Sequence, residues 1–139
     1  MATTLIVINV VGGTIALAAA SVTSTPVGPT FPNHATYILG LFLVNGIHGV
    51  MHLLIGTLGL FVLARKIRAE YYLTGHTIWF GSLGVVGLVT TPELAPPHAI
   101  LGPAINFPDH AAHLVLAAMS LMPFLVAAGL TIPPTPSSM

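Results

Sequence analysis

The sequence predicts an all-α integral membrane protein, folded over residues 1–139 as one four-helix bundle built from two tandem helical hairpins. Of the 139 residues, 55% are hydrophobic and only 4% are charged, whereas a soluble domain carries roughly a quarter of its residues as Asp, Glu, Lys and Arg. Four apolar runs approach the length of about 20 residues that a helix needs to cross a bilayer. They cover about residues 4–20, 45–64, 71–89 and 109–130. The runs are continuous rather than alternating, which disfavours transmembrane strands.

The first predicted span is followed by a turn-rich linker, "SVTSTPVGPTFPN". The end of the span, "ALAAAS", resembles a signal-peptidase site. However, a secretory signal carries basic residues before its apolar run, and this chain has none there. We therefore expect the segment to be retained as a membrane helix.

The basic residues predict the orientation in the membrane. Arg65, Lys66 and Arg68 are the only ones in the chain, and they stand together between the second and third spans. By the positive-inside rule, loop 65–70 is cytoplasmic. Both termini are then cytoplasmic as well, and the outer loops are residues 21–44 and 90–108. We expect the host to be a bacterial inner membrane or a photosynthetic membrane.

Two segments of the chain resemble each other and define an internal repeat. "ILGLFLVNGIHGVMHLLIG", which begins at Ile38, is similar to "ILGPAINFPDHAAHLVLAA", which begins at Ile100, with one residue of slippage before the asparagine. The aligned pairs after the slippage are Asn45 with Asn106, His48 with Asp109, His52 with His113, and Gly56 with Ala117. The repeat predicts two hairpins in the same orientation, with these residues level in the outer half of the membrane.

The repeat also predicts where the second span begins, because the apolar run over residues 36–64 is too long for one comfortable crossing. In the later copy, Pro103 and Pro108 predict that the segment before the fourth span lies outside a regular helix. By analogy, residues 38–44 form an outer-surface or re-entrant approach. The spanning helix then begins at Asn45, a suitable N-cap residue.

Residues at i, i+3, i+4 and i+7 of a helix share a face. At this spacing, each predicted helix carries a stripe of small or polar residues. The stripes are Asn9, Gly12, Gly13, Ala16 and Ala20 in the first span; Asn45, His48, Gly49, His52, Gly56 and Gly59 in the second; Gly81, Gly84 and Gly87 in the third; and Asn106, Asp109, His110, His113, Ala117 and Ser120 in the fourth. Small residues let membrane helices approach closely, and polar residues bond across the gap. We therefore expect the stripes to face the interior of the bundle.

These residues also carry a family resemblance. The pattern N-x-x-H-x-x-x-H-L-L-x-G, preceded by "ILGLF" and echoed before the last helix by N-x-x-D-x-x-x-H-L, resembles an uncharacterised family of small four-span bacterial membrane proteins. That family is known as a domain of unknown function. The resemblance covers roughly residues 36–128, and the first span is the part least like the family. It implies the fold and the membrane location and supplies no activity.

The polar stripe residues of the second and fourth spans allow three interpretations. In the first, they bond to one another and fix the packing, since interhelical bonds contribute about 0.6–2 kcal/mol each.

In the second interpretation, they bind a metal ion. Imidazoles and a carboxylate suit Zn, Cu, Mn or Fe, and histidines at i and i+4 can chelate from one helix turn. The ligands would be His48, His52, Asp109, His110 and His113. Their spacing matches no established metal signature, but an ionisable cluster inside a membrane is a candidate functional site.

The third interpretation is a tetrapyrrole, with His52 or His113 as axial ligand and His48 and His110 as further candidates. The repeat makes His52 and His113 equivalent, which suits a haem b with two axial histidines. Haem propionates usually bind Arg or Lys, and no basic residue lies on the predicted outer side. A chlorophyll-type pigment has esterified carboxyls and therefore ranks ahead of haem.

The expected function is that of a structural or accessory subunit of a larger membrane complex, photosynthetic or respiratory. Its partners would be the lipid bilayer and other membrane protein subunits. The near-zero net charge and the lack of a basic patch exclude nucleic acid as a partner. The alternative function is a stand-alone metal- or haem-binding protein for electron transfer.

The remaining polar residues indicate no activity. No nucleophile motif accompanies the outer carboxylates Glu93 and Asp109, so we do not expect an enzyme. His76 is expected to snorkel or to bond its own helix near the cytoplasmic face. His34 and His98 are expected as solvated loop residues.

Overall fold

The computed structural model describes residues 1–22, 25–26, 34–90, 98–99 and 103–130. Within these residues there are four helices, α1 (Ala2–Val22), α2 (Gly46–Leu63), α3 (Ala69–Thr90) and α4 (Phe107–Ala127). Each is long and apolar enough to cross a membrane. The prediction of an all-α integral membrane protein with four spans is confirmed. Glu93 lies outside the described residues, as do the side chains of His34 and His98.

The helices pair as two antiparallel hairpins, α1 with α2 and α3 with α4. In the first hairpin the two backbones touch, because a Cβ atom built on Gly13 would lie 2.8 Å from the carbonyl oxygen of Gly49. In the second hairpin, a Cβ atom built on Gly84 would lie 3.0 Å from the carbonyl oxygen of His110. Glycine at these positions permits a closer approach than a larger residue would. The small-residue stripes therefore form the seams within each hairpin.

The two hairpins meet around a small apolar core. Its buried side chains come from three helices and are Leu5, Ile6, Tyr72, Leu73, Phe80, Leu116 and Ala117. Phe80 is the largest of the fully buried side chains, at 1% exposed. Most large aliphatic residues lie instead on the outside of the bundle, as expected for helices that are surrounded by lipid.

Short antiparallel strands cover one end of the bundle. One sheet contains β1 (Thr25–Pro26), β2 (His34–Ile38) and β3 (Phe42–Asn45), and β4 (His98–Ala99) pairs with β5 (Ala104–Ile105). Leu39 and Gly40, in the turn between β2 and β3, have φ angles of 55° and 66°. Residues 38–44, expected as an outer-surface or re-entrant approach to α2, belong mostly to a β-hairpin. We call this end of the bundle the strand end, and the opposite end, which carries loop 64–68, the basic end.

α2 and α4 begin in the same way. Their N-caps, Asn45 and Asn106, have φ angles of −132° and −135°. Asn45 Oδ1 accepts a hydrogen bond from the backbone N–H of His48 at 2.9 Å. Asn106 Oδ1 accepts the equivalent bond from Asp109 at 3.3 Å. The expectation that Pro108 lies outside a regular helix is wrong, because this residue occupies the first turn of α4, where no N–H is needed.

Replacing Gly13 with Ala should destabilise the first hairpin, because the added methyl group meets backbone atoms that cannot rotate away. We expect a loss of about 1–3 kcal/mol in the free energy of unfolding, typical of overpacking. The matched control is the neighbouring Gly12→Ala, whose Cβ meets nothing within 4 Å, and which should stabilise the helix by up to about 1 kcal/mol. Equal stability of the two variants in detergent unfolding followed by circular dichroism would contradict the close α1–α2 seam.

Candidate functional site

A line of hydrogen bonds crosses the middle of the bundle and takes one side chain from each of α1–α4. His52 Nδ1 lies 2.9 Å from Asn9 Oδ1. Asn9 Nδ2 lies 3.0 Å from His76 Nε2, and Ser120 Oγ lies 2.6 Å from His76 Nδ1. Asn9, His76 and Ser120 are at most 3% exposed. We call His52, Asn9, His76 and Ser120 the polar chain.

Two backbone carbonyls determine the direction of every bond in the polar chain, because a carbonyl can only accept. Ser120 Oγ donates to the Leu116 carbonyl at 2.7 Å, so this oxygen accepts from His76 Nδ1–H. Asn9 Nδ2 donates to the Leu5 carbonyl at 2.8 Å, and its second proton goes to His76 Nε2.

The amide of Asn9 is thereby oriented with its oxygen toward His52. His52 Nδ1–H must donate to this oxygen, since an amide oxygen has no proton to give. In the neutral imidazole, Nε2 of His52 then carries a lone pair. The polar chain therefore joins the helices and also selects the tautomer of one histidine.

Three histidines from α2 and α4 come together at one end of the polar chain, and His52 belongs to both groups. The ring centroids of His48 and His52 are 5.0 Å apart, and those of His48 and His113 are 5.9 Å apart. The His52 and His113 centroids are separated by 6.0 Å. One ring nitrogen from each residue lies within 4.8 Å of one from each of the others. We call His48, His52 and His113 the histidine triad.

The surroundings of the triad hold its rings in place. His48 Nδ1 donates to the backbone carbonyl of Ala104 at 3.0 Å, so its Nε2 carries the lone pair in the neutral ring, as in His52. The Phe80 ring packs against His52 and His113, with centroid distances of 5.3 and 5.2 Å. His113 is only 4% exposed, and its Nδ1 is buried without a hydrogen-bond partner among the described residues.

His48 and Asp109, which are equivalent in the repeat, each bond the other half of the protein. We call these two bonds the crossed contacts. Each of the two residues is the third of its helix, and each bonds the backbone two residues before the N-cap of the other helix. His48 donates to the carbonyl of Ala104, whereas Asp109 Oδ2 accepts from the N–H of Leu43 at 3.1 Å. Asp109 Oδ2 also accepts from the N–H of its own N-cap, Asn106, at 2.9 Å, which completes a capping box. These contacts align the N-termini of α2 and α4 at the strand end.

Of the five predicted metal ligands, the structure brings three together, His48, His52 and His113. Asp109 is engaged in the cap of α4 and is not part of the triad. His110 is fully buried, but its ring packs over Gly87 in the seam between α3 and α4 rather than in the triad.

His76 is the functional-site residue that the sequence reasoning missed. It was expected near the helix end as a snorkelling or helix-bonded side chain, but it is 3% exposed and bonds two other helices. The signal for its burial is the spacing of His76, Phe80, Gly84 and Gly87, which lie on one helical face and are all buried.

A cavity of about 530 Å³ borders the triad between α1 and α4. His48, His52 and His113 form part of its lining, and the other contributions are mostly apolar. Ile15 and Val115 on its walls are 48% and 59% exposed, so the cavity opens sideways on the surface that faces lipid. We call it the α1–α4 cavity.

Comparison with known proteins identifies the family. The family model described as "Domain of unknown function (DUF4383)" matches residues 1–126. The chain belongs to this family. The match includes the first span as well as both copies of the repeat, so the resemblance inferred from the N-x-x-H-x-x-x-H-L pattern is confirmed. Neither a curated protein nor a solved structure matches the chain.

Replacing Asn9 with Ala should destabilise this DUF4383 protein, because it leaves His52 Nδ1 and His76 Nε2 buried without their partner. We expect a loss of about 2–3 kcal/mol in the free energy of unfolding. The matched control is Thr14→Ala on the same helix, whose hydroxyl is exposed and bonds only the Val10 carbonyl. Detergent unfolding of both variants measures the difference, and a similar small effect of the two substitutions would show that the polar chain does not hold the bundle together.

Proposed function

We propose that this protein binds a transition-metal ion in the membrane through His48, His52 and His113. The observation that carries the proposal is the convergence of three imidazoles, of which His48 and His113 are buried and His52 is half-buried. Two of them, His48 and His52, have Nδ1 bonded to a protein oxygen. This arrangement is typical of metal sites, where the second ring nitrogen of a histidine ligand donates to a carbonyl or a side-chain oxygen. The Nδ1 atom of His113, which has no partner in the described part of the chain, supports the proposal independently, since a buried polar atom without a partner is costly.

The donor set favours Zn²⁺ or copper over harder ions. Three imidazoles and an open fourth position are typical of zinc sites, and imidazole also suits copper. Tetrahedral ligation with bond lengths of about 2.0–2.1 Å requires nitrogen–nitrogen distances of about 3.3 Å, so the rings close in from the 4.8 Å limit when the ion binds. The α1–α4 cavity supplies space for a fourth ligand, and Asp109 on its lining is a nearby carboxylate.

A chlorophyll-type pigment or a haem is the second candidate, and it rests on the α1–α4 cavity. The cavity is largely apolar, borders three histidines and opens toward lipid, as a bound tetrapyrrole would require. The crowding of the triad favours the metal ion, because a macrocycle on one imidazole would meet the other two rings within about 6 Å. Absorption bands of a tetrapyrrole in the purified protein, lost on His52→Gln, would reverse this order.

We further propose a non-enzymatic, accessory role in a larger membrane complex, with both termini and the basic end in the cytoplasm. The orientation is supported by the clustering of Arg65, Lys66 and Arg68 at one end of the bundle. Co-purification with other membrane subunits in mild detergent would support the accessory role, and isolation as a redox-active monomer would favour electron transfer instead.

Replacing His113 with Gln should abolish stoichiometric metal binding, because it removes one of the three ligands. We expect the wild-type chain to retain about one Zn²⁺ or copper ion, and the variant to bind at least about tenfold more weakly. The measurement is metal content by mass spectrometry after equilibration with each ion and desalting. His110→Gln is the matched control, since it makes the same change one turn earlier on α4, outside the triad. Equal metal retention in the two variants would refute the site.

A further inference from the structure

A second cavity lies between α2 and α3 toward the basic end, away from the triad. Its volume is about 360 Å³, and its lining is almost entirely apolar. Leu58 of α2 and Tyr71 of α3 are 53% and 67% exposed, so the cavity opens on the outside of the bundle. Ile67, in the loop that connects the two helices, also lines it. We call it the α2–α3 cavity. On a membrane-spanning bundle, an apolar cleft that opens sideways faces lipid acyl chains.

All the Lys and Arg residues of the chain belong to the loop that contributes Ile67 to this cavity. Ile67 is flanked in sequence by Lys66 and Arg68, and Arg65 precedes them. Arg68 is paired with Glu70 at 2.6 Å. Within the described residues, Arg65 and Lys66 have no carboxylate partner, and both are exposed. Two cations without a carboxylate partner in the described part of the chain therefore belong to the loop that borders the apolar cleft.

Tyr72, which lines the α2–α3 cavity, carries a hydroxyl group without a partner among the described residues. Tyr72 is only 8% exposed, and its hydroxyl group is buried and makes no hydrogen bond within the described part of the chain. A buried hydroxyl normally has a partner. The hydroxyl oxygen faces Gly59, because a Cβ atom built on that residue would lie 3.1 Å from it, so it points into the bundle rather than into the cleft.

We propose that the α2–α3 cavity binds one anionic phospholipid. One acyl chain lies in the cleft between Leu58 and Tyr71, and the headgroup phosphate is held by Arg65 and Lys66 at the basic end. Basic residues next to a cleft between membrane helices are a recognised arrangement for anionic headgroups. The site is separate from the histidine triad, so it neither requires nor excludes a bound metal ion.

The test measures lipid binding to the full chain in detergent. The protein is titrated with phosphatidylglycerol and, separately, with phosphatidylcholine, and bound lipid is counted by native mass spectrometry. We expect one retained phosphatidylglycerol and at least about tenfold weaker binding of phosphatidylcholine. The double variant Arg65→Gly with Lys66→Gln should reduce phosphatidylglycerol binding to the level of phosphatidylcholine. Because Arg65 has a φ angle of 56°, which favours glycine, this variant should not weaken the fold.

A second pair of variants tests the cleft itself. Gly75 lines the α2–α3 cavity and Gly12 lines the α1–α4 cavity, and a Cβ on either residue meets nothing within 4 Å. Gly75→Leu should fill the cleft and reduce phosphatidylglycerol binding about tenfold or more, whereas Gly12→Leu should leave it unchanged. Equal binding of the two lipids by the wild-type chain overturns the proposal, as does wild-type phosphatidylglycerol binding by the double variant or by Gly75→Leu.

Discussion

Polar groups inside a bilayer must find their hydrogen-bond partners within the protein, because lipid offers none. The polar chain meets this requirement across α1–α4, and the remaining architecture depends on it. Asn9 uses both amide protons and its oxygen, and His76 uses both ring nitrogens. If one member is lost, its neighbours are left buried without partners. The chain is therefore cooperative, and it connects the two hairpins across the middle of the bundle, between the apolar core and the crossed contacts at the strand end.

One bond of the polar chain, together with a bond from His48, also prepares the histidine triad. Asn9 accepts a hydrogen bond from His52, and the Ala104 carbonyl accepts one from His48. The Nδ1 protons of His48 and His52 are therefore engaged before any ligand binds. A site with ligands already oriented binds a metal ion at a lower cost in lost side-chain freedom. The repeat places these ligands. Asn45 and Asn106 begin α2 and α4 in the same way, so His52 and His113 reach the same depth. The two copies differ at one of the equivalent positions, where the first has His48 and the second has Asp109. His48 belongs to the triad, whereas Asp109 caps α4.

Much of the architecture follows from sequence patterns with a direct physical cause. Apolar runs of membrane length predict the helices, and the repeat with its asparagines predicts where α2 and α4 begin. The i, i+4 spacing of His48 and His52 predicts that they share a face, and the repeat predicts that His113 lies level with them. These are local or periodic properties, which a sequence displays directly.

Other features depend on how each helix is rotated about its axis, which the sequence does not determine locally. His110 and His113 are three residues apart, and packing alone decides that His110 faces Gly87 while His113 faces α2. His76 is polar and close to a helix end, so its burial is visible only once α3 is placed against Asn9 and Ser120. The strands at the strand end were not predicted. β3 is mostly apolar and continues directly into the apolar run of α2, so hydropathy alone shows no boundary between strand and helix.

Protein hydrogen bonds hold His48 and His52 with the proton on Nδ1, which in the neutral rings leaves the lone pair of Nε2 for a metal ion. The most direct measurement is ¹⁵N NMR of the histidine-labelled protein in lipid, with ring signals assigned through single His→Gln variants. We expect protonated Nδ1 and unprotonated Nε2 in both residues without metal, and the largest shift in the Nε2 signals when Zn²⁺ is added. Protonated Nε2 in His52, or ring signals of the triad that Zn²⁺ does not change, would contradict this expectation.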